Sequence, residues 1–204
     1  MDGVFMRKWM TLAWLTAMAV LLCGLAADRA ELRENVLRLH VVAASDEAED
    51  QRVKLKVRDG ILACLAPELD RVTDPEEAKA LVENLLPRLT EAANRVLEQE
   101  GNDHRANVSL ATEAFPLREY DTFALPAGVY HALRVEIGPA AGRNWWCVVF
   151  PQLCYGDLST DSDKTSSLSD ELMDTITGNH KIRFWLLDKL GELENLFFHA
   201  SKTP

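Results

Sequence analysis

Residues Asn35 to Ala43, NVLRLHVVA, set Leu37, Leu39 and Val41 on one side and Arg38 and His40 on the other. A period of two marks a strand with one buried face. The acidic run SDEAED follows; Ser45 or Asp46 is placed to cap a helix, and the carboxylates favour its N-terminal dipole. Val53, Val57, Ile61 and Cys64, with Leu65 beside them, recur at helical spacing, and Pro67 marks the expected end. A second helix opens with Asp74 as cap, Pro75 as first residue and Glu77 in the capping-box position. Its stripe reads Leu81, Leu85, Leu89, Ala92 and Val96, ending near Gln99 and closed by Gly101. Pro87 lies inside and is expected to kink or split it.

The period then returns to two. Val108, Leu110, Thr112 and Ala114 alternate within residues 107–115, and Val129, His131, Leu133, Val135 and Ile137 within 129–137. Gly138 to Gly142, GPAAG, reads as a turn, and Trp145 to Phe150, WWCVVF, as a third run of strand formers. The two runs flanking the turn are expected to pair as a hairpin. The order β-α-α-β-β-β defines an α/β (α+β) domain: one mixed or mainly antiparallel sheet with helices on one face. Trp145 and Trp146 then point to opposite faces, one into the core and one onto the other side.

Both ends of the chain differ from this body. Arg7-Lys8 precede an uncharged run of 19 residues, Trp9 to Ala27. At ~1.5 Å per residue this run approaches the ~30 Å of a hydrocarbon layer, and Gly24-Leu25-Ala26 also fits a signal cleavage site. A signal peptide cut after Ala26 and a retained anchor both fit. Either way the basic flank stays in the cytoplasm and the rest faces outward. Leu22 before Cys23 argues against lipidation there, where a small residue is usual. Residues 158–178, rich in Ser, Thr and Asp, read as a flexible linker. Residues 179–204 read as an amphipathic helix carrying Ile182, Trp185, Leu186, Leu190, Leu193 and Phe197, with Gly191 as a weak point. The expected division is therefore 1–27 signal or anchor, 28–157 exported domain, 158–178 linker and 179–204 helix.

Charge narrows the function. The chain of 204 residues carries 22 basic and 32 acidic residues, a formal −10. That surface repels phosphate backbones and disfavours nucleic-acid binding.

Candidate chemistry is sparse. Cys147 is the candidate nucleophile, with His40 and His131 on strands as conceivable bases, but no local signature of a cysteine peptidase surrounds it. Cys147 and Cys154 stand too far apart for a zinc knuckle, and no His-x₃₋₅-His partner exists. Asp161 to Thr165 imitates a calcium loop, but Ser166 replaces its glycine and Leu172 its terminal Glu. No glycine-rich phosphate loop occurs, and no metal or cofactor is expected. In an exported protein Cys147 and Cys154 can form a disulfide across Pro151; two reduced thiols are the open alternative.

Several stretches resemble the stage II sporulation protein R family: LRLHVVAASD (37–46), Asp50-Gln51, LKVRD (55–59), Phe115-Pro116 with Tyr120, PAGVYHALRVEIG (126–138) and, most specifically, GRNWWCVVFPQLC (142–154). The resemblance covers about residues 35–157. Ala44, where the family's run is expected to carry Asn, and Gln152, where a second Pro is common, depart mildly from the pattern. The resemblance implies a protein made in the forespore and exported to the space between forespore and mother cell. There it is needed to activate a membrane-embedded aspartic protease, which processes the mother-cell pro-sigma factor. It implies a non-enzymatic signal. On that reading Trp145, Trp146, Arg38, His40 and Arg134 form the expected contact patch. The competing class is an exported cysteine hydrolase of the cell wall using Cys147; a purely structural septal protein is a third.

Overall fold

The computed structural model describes residues 2–120, 123–151, 168–178 and 181–202. They form two compact units.

The larger unit comprises Arg33–Phe115 and Val129–Ser169. Its strands are β1 (Leu37–Val42), β2 (Ala106–Phe115), β5 (Gly128–Ile137) and β6 (Asn144–Phe150), in the spatial order β2-β5-β1-β6. Its helices are α2 (Ala48–Leu69) and α3 (Pro75–Gln99). The α+β class, the element order and the strand limits agree with the sequence expectation. The hairpin does not. β1 lies between the two runs, parallel to β5 and antiparallel to β6. The connection from β5 to β6 instead wraps over the end of β1. Ala141 N donates to Ala44 O at 3.2 Å, and Gly142 N to Ala43 O at 3.0 Å. A Cβ on Gly142 would stand 2.1 Å from Ser45 O, so only glycine passes there. Asp46 grips the same loop, accepting from Arg143 N at 2.7 Å, and Lys54 Nζ donates to Arg143 O at 2.9 Å. Burial, with the nearby Arg143 charge, holds the Lys54 ammonium below its usual range.

The helices cover one sheet face. Leu37, Leu39 and Val41 of β1 meet Val53, Val57 and Ile61 of α2 and Val82, Leu89 and Leu97 of α3 in a single core. Neither Ser45 nor Asp46 caps α2 as expected: Glu47 stands at the N-cap position without a side-chain cap bond, and Ser45 instead organises the approach, its Oγ accepting from Glu47 N at 3.1 Å and donating to Asp50 Oδ2 at 2.6 Å. The helix runs past Pro67 because Leu65 and Leu69, both buried, extend its stripe. In α3 the expected cap forms, with Asp74 Oδ1 accepting from Glu77 N at 2.9 Å. Pro87 does not divide α3; Val82 and Leu89, buried on either side of it, hold one continuous helix. The buried stripe is also rotated from the expected one, to Ala78, Val82, Leu89, Ala93 and Leu97, leaving Leu81, Leu85 and Val96 at its margin.

The second unit comprises Met1–Leu32, Pro116–Gly128 and Asp170–Pro204. It holds α1 (Asp2–Asn35) up to Leu32, the paired strands β3 (Arg118–Glu119) and β4 (Ala124–Leu125), α4 (Asp170–Ile176) and α5 (Lys181–Lys202). From Phe5 to Gly24 every residue of α1 is exposed; packing begins at Leu25, which is 3% exposed. Asp28 is clamped by Arg183 through bonds of 2.7 and 2.6 Å, and Arg29 pairs with Glu194. Helix α4 falls within the stretch expected as linker, because Leu172 and Ile176, four residues apart, both bury; residues 158–167 lie outside the described residues. Gly191 is not a weak point of α5 but a close-approach site: a Cβ there would fall 1.6 Å from Ala127 O. Asp188 beside it accepts from Ala127 N at 2.9 Å.

Candidate functional site

The sheet face turned away from α2 and α3 carries the polar side of the alternation. His40 pairs across β1 with Arg134 of β5 on one side and Trp146 of β6 on the other. These three side chains share the face with Arg38, so four of the five expected contact residues come together. Trp145 does not join them. It faces the helices, packs against the core and lies under the Arg58 guanidinium, 4.7 Å from the ring centroid.

Glu113 organises the face. His40 Nδ1 lies 2.7 Å from Glu113 Oε2, Arg134 donates to the other carboxylate oxygen, and Arg134 reaches Glu136 at 2.8 Å. His40 Nε2 faces Asn144 Oδ1 at 2.9 Å. Burial pushes the Glu113 carboxyl up, but the bonds from His40 and Arg134 outweigh it and hold the group below the usual carboxylate range. The rings interlock with this network: His40 stacks on Trp146 at 5.6 Å, and Phe115 meets His40 at 6.0 Å and Tyr130 at 5.9 Å edge-on. Arg38 is fully buried, its guanidinium 4.1 Å from the Phe115 centroid and 5.0 Å from that of Tyr130. Arg38 thus supports the face from beneath, while His40, Arg134 and Trp146 are half-buried at its surface.

Glu113, Phe115, Tyr130 and Asn144 were absent from the expected patch. The alternation of β2 carried a signal for two of them: if Val108 and Leu110 face the helices, Glu113 and Phe115 face the other way.

The same register separates the groups a thiol enzyme needs. Cys147 pairs with Leu39 on the helix-covered face, is 1% exposed and is disulfide-bonded. His40 points to the opposite face. His131 shares the face of Cys147 but sits on β5, two strand spacings of ~4.8 Å away across β1. Its neighbours are Glu34, at 3.9 Å, and Lys79; burial, with the Lys79 charge, depresses its affinity for a proton. Cys154 lies outside the described residues, and Cys23 and Cys64 are free thiols. Among the described residues no group of three His, Cys, Asp or Glu side chains is arranged to hold a metal ion.

A mixed-sheet α+β domain whose second face is polar and aromatic, on a chain that carries a long apolar helix, is the class these features define. The family model of stage II sporulation protein R matches residues 33–160, and the chain belongs to that family. The stage II sporulation protein R of Bacillus subtilis (strain 168) is 29% identical over 152 residues, covering 71% of this chain and 68% of that protein. No solved structure matches. The chain is therefore a sporulation protein, and α1 fits a signal peptide or anchor, with 31 residues long and apolar enough to cross a membrane.

Proposed function

We propose that this protein is an exported, non-enzymatic signal that acts by contact on a membrane-embedded aspartic protease of the mother cell and so permits processing of the mother-cell pro-sigma factor. Family membership over residues 33–160 carries the reading. The geometry supports it in two ways. Cys147 is buried on the face away from His40, which disfavours the cysteine hydrolase. The open face offers half-buried Trp146 and His40 on a rigid, hydrogen-bonded base, the chemistry of a protein-protein anchor.

Retention of α1 as the anchor is part of the proposal. The helix continues without a break through Ala26, and Leu25, Asp28 and Arg29 are engaged in packing and ion pairs. A cut after Ala26 would fall inside that helix. The pairing of Cys147, in the middle of β6 on the helix-covered side, with Cys154 is proposed as a purely structural bond that signalling does not require.

Co-expression of this chain, the protease and the pro-sigma substrate in a non-sporulating host tests the reading. Substrate processing that requires this chain, and persists in Cys147→Ser/Cys154→Ser, is the expected result. Processing that proceeds without the chain contradicts it.

A further inference from the structure

Helix α5 has two apolar faces. One is packed: Leu187 is fully buried and Gly191 abuts Ala127. The opposite one carries Ile182, Trp185, Leu193, Leu196 and Phe197, between 52% and 77% exposed. At ~100° per residue these five fall within a sector of about 120°, the width of a helix face made for apolar surroundings. Such a stripe on a water-facing helix marks an interaction surface.

Its occupant is indicated by α1. The exposed part of α1, residues 5–24, is ~30 Å long at ~1.5 Å per residue, one hydrocarbon thickness. Val20, Leu21, Gly24 and Leu25, at the body-proximal end of that span, line a cavity of about 900 Å³ together with Lys181, Ile182, Arg183 and Leu186 of α5. The stripe therefore begins where the apolar span ends, at the depth at which hydrocarbon gives way to headgroups. Trp185 is a residue suited to that layer. One charge, Lys189, falls inside the stripe; it bonds Glu192 at 2.7 Å, and its long stem lets the ammonium reach the polar side of such a layer, while Arg183 at the margin pairs with Asp28 and Glu171.

We propose that α5 is an interfacial helix, its stripe of Ile182, Trp185, Leu193, Leu196 and Phe197 seated in the headgroup layer on the outward side of the bilayer that α1 crosses. The inference rests on the anchored reading of α1. With α1 it makes two membrane contacts on one unit, one transverse and one in plane.

Photolabelling tests it. The full chain is reconstituted into phosphatidylcholine-phosphatidylglycerol vesicles containing a phospholipid with a carbene-generating acyl chain, and adducts are mapped by mass spectrometry. Adducts on α1 and on the α5 stripe are expected. The triple variant Ile182→Gln, Leu193→Gln, Phe197→Gln should lose at least about five-fold of the α5 adducts, in line with the transfer cost of three polar groups, and keep those on α1. Adducts on α1 with none on α5 overturn the inference while leaving the anchor intact. Cross-links between α5 helices of two copies, in place of lipid adducts, overturn it in favour of self-association. Adducts on α5 without α1 end the spanning role and with it the placement of α5 proposed here; adducts on neither helix end both.

Discussion

The two faces of the sheet in the larger unit are built from the same strands by opposite chemistry. Toward the helices, Leu37, Leu39 and Val41 enter a core of aliphatic side chains with no polar partner to satisfy. On the other side Arg38 and His40 meet Glu113, Phe115, Tyr130 and Trp146, and Arg134 joins through Glu113, in a network of ion pairs and rings. β1 is nearly as buried on the second face as on the first. The cover on the second face comes from its own side chains: the buried rings of Phe115 and Tyr130 lie over Arg38, and the Trp146 ring stacks on His40. The first face specifies stability through volume. The second fixes side-chain positions through hydrogen bonds.

That contrast sets the order of expected effects. Leu39→Ala should be the most damaging, destabilising by about 2–5 kcal/mol in urea unfolding through a cavity in the helix-covered core. A value under ~1 kcal/mol would mean the core collapses readily around the loss. Glu113→Gln comes next, at about 1–3 kcal/mol, because it weakens bonds to His40 and Arg134 together. Its sign with pH is specific. The folded Glu113 carboxyl titrates below its unfolded value of ~4.3, so its contribution is complete above that pH and fades as pH falls through the lower folded value. The gap between wild type and Glu113→Gln should therefore narrow below about pH 4; a gap that widened there would contradict the network. Asp74→Ala is the smallest, about 1 kcal/mol from the lost α3 cap, with no change in that pH profile.

Much of this was legible in the order of residues. Alternation placed Leu39 and His40 on opposite faces, and the Asp74 cap followed from its side-chain chemistry. Three things were not. The GPAAG turn reads as a hairpin because turn residues report a change of direction but not what lies between the strands; only the backbone bonds of Ala141 and Gly142 to Ala44 and Ala43 reveal β1 there. The buried stripe of α3 was shifted because leucines occupy both the core and its margin, so periodicity alone did not rank Leu81 against Val82. Arg38 was expected in the contact patch because it alternates with Leu37 and Leu39 and shares a face with His40. Its burial depends on Phe115 and Tyr130, distant in sequence and brought over it by β2 and β5.

Trp145 and Trp146, adjacent in sequence, turn the comparison into a direct test. Trp145 belongs to the core side with Arg58, and Trp146 to the open face with His40. The decisive measurement is pro-sigma processing in the co-expression system with Trp146→Ala, paired with a thermal melt of the same variant. The account predicts that processing is lost while the melting transition stays cooperative and above the assay temperature. Normal processing by Trp146→Ala, or processing that fails only in step with unfolding, would contradict the assignment of the open face as the contact surface.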